Sequence, residues 1–248
     1  MAHVRVAAAS TVLLGVALTA CAVNPPTPPI PQPHWLGRVG CSIGDVLPVV
    51  DGLVRSGLRD AGYRHLIVEA CADAPSRDAV ATAAADRGVV VVTARPDRGL
   101  DIPATPDPAR LRSDLTAAVM AARPIVVDGD PRSSAPGVGE VLANRDVLEL
   151  AADERVGVGG PVPRGAIRVD PDGEVPEVSS RAIGRKGLIV ALHNPRSTTA
   201  TIDVATAALG LAGTIHGVDA WTGREYTSSG GRLGGPIGPG DTLLIRIV

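Results

Sequence analysis

SGLRDAGYRHLIVEACA, residues Ser56 to Ala72, is the stretch whose reading decides the fold. It reads as a helix that ends, turns on Gly62 and enters a buried strand over His65 to Ala70. The strand closes on Glu69-Ala70-Cys71-Ala72. Enzymes of the α/β class place their chemistry at the C-terminal ends of such strands. Those four residues are therefore either an active site or the place where one used to be.

Working outward, the same helix-then-strand grammar recurs. Asp45 to Ala61 carries Val46, Val49, Val50, Leu53, Val54 and Leu58 at helical spacing. Ser76 can cap a second helix to Arg87, with Gly88 as its stop. Val89 to Val92 is a continuous β-branched run that suits a strand buried on both faces. Arg95 to Pro106 reads as a Pro/Asp-rich loop, and Asp107-Pro108 as the start of a helix to Arg123. Ile125 to Asp128 is a third clear strand, a short candidate lies near Val39, and Ala135-Pro136 opens a helical stretch to Ala152. Helices alternating with buried strands predict a parallel sheet.

The character changes near Val156 to Gly165. Beyond it the chain is rich in Gly, Pro, Thr and Ser, with short strands expected at Gly187–His193, Thr199–Val204, Thr214–Asp219 and Thr242–Val248. Trp221-Thr222-Gly223-Arg224 reads as a turn between two of them. This half is expected to be an antiparallel β-sandwich of about 90 residues.

The N-terminus reads as a targeting segment. A short apolar run from Ala7 to Ala17 falls below the roughly 18 residues of a membrane span and ends in Leu18-Thr19-Ala20-Cys21. Leu-x-small-Cys after such a run resembles a bacterial lipobox. It implies a signal peptide over 1–20, lipid on Cys21, and export to the outer side of the cell membrane. A Pro-rich tether follows over 21–36, extended and semi-rigid, then an α/β unit over 37–156 and the sandwich over 157–248. With Cys21 carrying lipid, Cys41 and Cys71 remain, as a disulfide or as two buried free thiols.

Composition excludes several classes. The formal net charge is −2 and no basic stripe is interleaved with aromatics, so no nucleic-acid partner is expected. Phe is absent and Trp and Tyr total four, so sugar-stacking platforms are scarce. The histidines show no metal-ligand spacing; neither a metal nor a cofactor is expected.

Several of these stretches, in order, resemble glycoside hydrolase family 27, the α-galactosidases and α-N-acetylgalactosaminidases. They are LVRSGLRDAGYRHLIVEAC, RSDLTAAVMAARPIVVDGDPRSS, VLANRDVLELAADERVGVGG, DAWTGREY and PGDTLLIRIV. The resemblance covers most of Gly40 to Thr93 and Leu111 to Val248. It implies a (β/α)8-type barrel followed by an antiparallel β-domain, here with only about four βα units. It also implies a disulfide between Cys41 and Cys71, which a loop of this length would turn into roughly 3 kcal/mol of stability.

The family's nucleophile and acid/base carboxylates come from the middle and later strands of its barrel. Between Thr93 and Leu111 this chain has a short loop in their place. At the end of the second strand the family's Asp-Asp-Cys-Trp is matched by Glu69, Ala70, Cys71 and Ala72, so one acid and the aromatic wall are lost. Glu69, Asp128 and Asp130 are the candidate catalytic acids. Glu69, Asp130, Arg132 and Trp221 are the candidate ligand contacts. The expected function is a membrane-anchored, non-catalytic surface lipoprotein that binds carbohydrate or envelope material. The alternative is an active α-galactosidase-type hydrolase with relocated carboxylates. Besides the membrane, a glycan and a second copy of the chain are candidate partners, since a half-barrel must cover its open face against the β-domain or a dimer mate.

Overall fold

The computed structural model describes residues 33–71, 73–97, 99–104, 107–132, 137–153, 158–171, 173, 176–184 and 187–247. The leader, Cys21, most of the tether, Ala72 and the expected boundary at 156–157 lie outside them.

The first unit is a five-stranded parallel sheet covered on one face by helices. Its strands are β1 (His34–Leu36), β2 (His65–Ile67), β3 (Val90–Val92), β4 (Leu100–Pro103) and β5 (Ile125–Asp128). The helices are α1 (Ile43–Arg55), α2 (Leu58–Ala61), α3 (Ala74–Ala85), α4 (Pro108–Ala121), α5 (Val138–Leu142) and α6 (Arg145–Ala152). Caps fall where short polar side chains precede apolar periodicity. Ser42, Asp73, Asp107 and Asn144 each accept from a backbone N–H of the helix they open. α3 therefore starts from Asp73, not from Ser76, whose N–H is the one that Asp73 caps.

Strand order is β3-β2-β1-β5-β4. In a closed eight-stranded barrel the first strand lies between the second and the last. Here β1 lies between β2 and β5, so β5 holds the place of the last strand and β4 that of the seventh. Among the described residues, the arc with no counterpart is the fourth to sixth.

Three sequence expectations are corrected. The first strand is His34–Leu36, inside the stretch read as tether, not near Val39. The stretch read as a loop over Arg95 to Pro106 contains β4, which pairs along β5 from Leu100↔Ile125 to Pro103↔Asp128. And β3 is an edge strand: Val90 is 52% exposed, because the strand that would cover its outer side is among the missing three.

Side chains alternate across this sheet as the pleat requires. Trp35, Leu66, Val91, Ile102, Ile125 and Val127 pack with the helices. Leu36, Ile67 and Val126, with Val92 against them, form a small cluster on the opposite face, which a complete barrel would enclose. The link between β3 and β4 crosses that face. It must run from the C-terminal end of one edge strand to the N-terminal end of the other. Four inter-strand steps come to roughly 19 Å in a flat sheet, within the roughly 25 Å that seven residues can span. Gly99 marks the crossing, since a Cβ there would meet Val126 Cγ2 at 2.9 Å. The described part of this link, a strap of residues 93–97 and 99, thus lies over the inner face where three βα units would otherwise continue.

The second unit is two antiparallel sheets. Its strands are β6 (Gly160–Pro161), β7 (Ile167–Asp170), β8 (Val178–Ile183), β9 (Gly187–His193), β10 (Ala200–Ala205), β11 (His216–Asp219), β12 (Glu225–Thr227), β13 (Arg232–Ile237) and β14 (Thr242–Ile247). They order as β13-β10-β7 and β12-β11-β14-β9-β8-β6. Val190, Leu192, Leu243 and Ile245 face the small sheet. Ile189, Ala191 and Leu244 face Val119 and Met120 of α4 and Val147 and Leu150 of α6. The large sheet is thus buried on both sides, and the sandwich packs on the helix layer rather than on the face that the strap crosses.

Candidate functional site

The C-terminal ends of the parallel strands bring together most of the expected site residues. Cys41 and Cys71 form the disulfide implied by the resemblance, tying the segment after β1 to the segment after β2. Glu69 follows β2, Asp128 ends β5, and Asp130 lies two residues beyond.

Each of these carboxylates is engaged by a guanidinium. Arg95 Nε donates to Glu69 Oε1 at 2.6 Å, and Arg95 Nη1 donates to Asp101 of β4. Arg95 lies in the strap and Asp101 on the far edge strand, so this one side chain joins the strand ends across the inner face. Arg38 grips Asp128, with Nε 2.9 Å from each oxygen and Nη2 2.6 Å from Oδ2. Hydrogen bonds to these carboxylates favour the charged guanidinium of Arg38 and of Arg95. Arg132 forks onto Asp130 at 2.8 and 2.7 Å and gives it a backbone N–H at 2.9 Å. The side-chain hydrogen bond from Arg132 is the main reason that Asp130 sits below the usual carboxylate range.

The arrangement is therefore alternating charge: Asp128–Arg38, Glu69–Arg95–Asp101, and the separate pair Asp130–Arg132. Glu69 and Asp101 are bridged through a cation. Among the described residues, no group of three or more His, Cys, Asp or Glu is placed to hold a metal ion.

No protein-family profile matches the chain, and no curated protein is significantly similar to it. Solved structures are similar. The α-galactosidase of Saccharomyces cerevisiae superposes with a TM-score of 0.68 at 10% identity, over 88% of this chain and 97% of that one. The fold is that of the α-galactosidases. α-Galactosidase I of Mortierella vinacea gives 0.64 at 11% identity, over 88% and 97%. A putative α-galactosidase/melibiase of Bacteroides fragilis gives 0.65 at 12%, over 88% and 79%. Against a putative α-N-acetylgalactosaminidase of Bacillus halodurans the chain spans 32% of that chain's length. At these identities the likeness is one of fold, and among the described residues the barrel lacks an arc.

Trp221 is placed away from the strand ends. Its indole N–H donates to Thr116 Oγ1 of α4 at 3.1 Å, and its ring packs between the two units. It helps to join them, alongside the Arg112–Asp241 fork at 2.8 and 2.6 Å. Asn144 contributes as well: its Oδ1 caps α6, and its Nδ2 donates to the carbonyls of Ala220 and Trp221.

Sequence reading missed Arg38, Arg95 and Asn144. An Asn directly before an amphipathic run was the available signal for Asn144. The two arginines carried none, because their partners are set by which strand ends meet.

Proposed function

We propose that this chain is a non-catalytic, lipid-anchored surface protein on an α-galactosidase scaffold, with a binding role in place of hydrolysis. The observation that carries this is the pairing of three carboxylates at the strand ends, Glu69, Asp128 and Asp130, and of Asp101 within β4, with arginines. Retaining glycosidases need two carboxyl groups about 5 Å apart, one free to attack and one free to move a proton. Here Glu69 and Asp101 share Arg95, Asp128 holds Arg38 and Asp130 holds Arg132. The strand arc with no counterpart fits the same reading, since the family resemblance puts its catalytic pair there.

The anchor rests on the lipobox-like Leu18-Thr19-Ala20-Cys21. Among the described residues no helix is long and apolar enough to cross a membrane. One expression experiment tests both parts. Cells making the full chain are fed labelled fatty acid, and the purified protein is incubated with nitrophenyl α-galactoside and nitrophenyl α-N-acetylgalactosaminide. Label is expected on the wild type and not on Cys21→Ser, with both glycosides cleaved no faster than in buffer. Label on Cys21→Ser would remove the anchor. Turnover abolished by Glu69→Gln, Asp128→Asn or Asp130→Asn would instead favour a hydrolase with relocated carboxylates.

A further inference from the structure

We infer that the groove between α4 and the sandwich is a binding site for a neutral glycan, with Trp221 and Tyr226 as its aromatic walls. The inference rests on the binding role proposed above and gives it a location away from the strand ends.

The chain has four Trp and Tyr residues and no Phe. Trp35 and Tyr63 are wholly buried and pack edge to face, 5.8 Å apart. The other two line one open groove of about 400 Å³, together with Arg112, Thr222, Arg224 and Asp241. That volume lies in the range of small-ligand sites, roughly 300–1,000 Å³.

The chemistry of the walls selects the ligand. Tyr226 lies against Gly235, where a Cβ would come within 2.9 Å of Cε1, so glycine makes room for the ring. The Arg224 guanidinium stands 5.1 Å from the ring centroid. A cation on an exposed ring is weakly held, so the C–H face of a pyranose can replace it and leave Arg224 beside the sugar's hydroxyls. On the opposite wall Arg112 gives two of its five N–H groups to Asp241 and keeps three. Both side chains remain about a quarter exposed, at 26% and 22%. A donor next to an acceptor is what a pair of vicinal hydroxyls requires. Two arginines, Arg112 and Arg224, face two aspartates, Asp219 and Asp241, so the groove carries no net charge. That balance disfavours phosphorylated or polyanionic polymers and fits a neutral sugar.

The full chain, held in a zwitterionic detergent, is screened on a printed array of neutral oligosaccharides of galactose, glucose, mannose and N-acetylglucosamine. The strongest hit is then titrated by tryptophan fluorescence, to which the buried Trp35 adds a constant background. Saturable binding is expected, weakened at least tenfold by Tyr226→Ala. Gly238→Leu should abolish it: Gly238 lines the groove, and a Cβ there meets only Asp241 Cβ, at 3.9 Å, so the substitution fills space without removing a contact. An array without a hit, or a hit that survives Gly238→Leu, overturns the inference. A hit lost in Arg95→Ala but kept in Gly238→Leu would put the glycan at the strand ends, overturning the groove while leaving the non-catalytic reading intact.

Discussion

Arg95 bonds to two carboxylates at once, Glu69 beyond β2 and Asp101 of β4, so neither acid stands without a counter-ion. His65 lies at the start of β2. It stacks on His34 across the β1–β2 pairing, ring centroids 4.9 Å apart, with its Nδ1 buried and unpartnered among the described residues. Burial lowers its pKa below the ordinary 6.5. The unfolded chain therefore binds more protons than the folded one below about pH 6.5, and stability falls as pH drops through that point. Asp130 and Asp73, both held below 3.8, lose their contribution only at lower pH. Melting temperatures between pH 7 and 5 are expected to decline in the wild type and to decline less in His65→Gln. Equal slopes would contradict this. At this scale the disulfide cysteines were legible, since composition and resemblance chose the same pair. Trp221 was legible only as an aromatic in a turn; that its N–H is satisfied by Thr116 depends on how the units dock.

Among the elements, α4 is the hinge of the architecture, since it packs on the parallel sheet with one side and on the sandwich with the other. Arg181 of β8 reaches into that junction and is 2% exposed. Its Nη1 donates to Val119 O at 2.7 Å and Leu150 O at 3.2 Å, and its Nη2 to Asp153 O. Those carbonyls end α4 and α6, where helix dipoles present negative charge. Desolvation lowers the guanidinium pKa, and the charge of Asp153 opposes that shift. Replacing Arg181 with Met would take the side-chain donor from all three, leaving Val119 O and Leu150 O with only the backbone N–H groups of Ala122 and Asp153. The expected cost is about 1–3 kcal/mol, read by chemical denaturation; no measurable loss would show that the contact is incidental. Helices α1, α3 and α4 and the long sandwich strands were readable from periodicity and caps. β4 was not, because Leu100-Asp101-Ile102-Pro103 holds an Asp and a Pro that argue against a strand. Pairing with β5 on one side alone accommodates both, as edge strands do.

For the molecule as a whole, the order β3-β2-β1-β5-β4 is that of an eight-stranded barrel opened between its third and seventh strands. The strap over the inner face and the Arg95 bridge link the two edges, and the sandwich supports the outer helices rather than this face. The sequence showed that an arc was missing, because motif order and chain length conflict with a full barrel. It did not show how the remainder closes, since that depends on a strap with no periodic signal. The proposed non-catalytic reading requires that the acids at the strand ends serve only as arginine partners. The most direct test is intact-protein mass spectrometry after incubation with a 5-fluoro-α-galactosyl fluoride, which would trap the covalent intermediate of a retaining α-galactosidase. An unchanged mass is expected. A fluorogalactosyl adduct mapped to Glu69, Asp128 or Asp130 would contradict it.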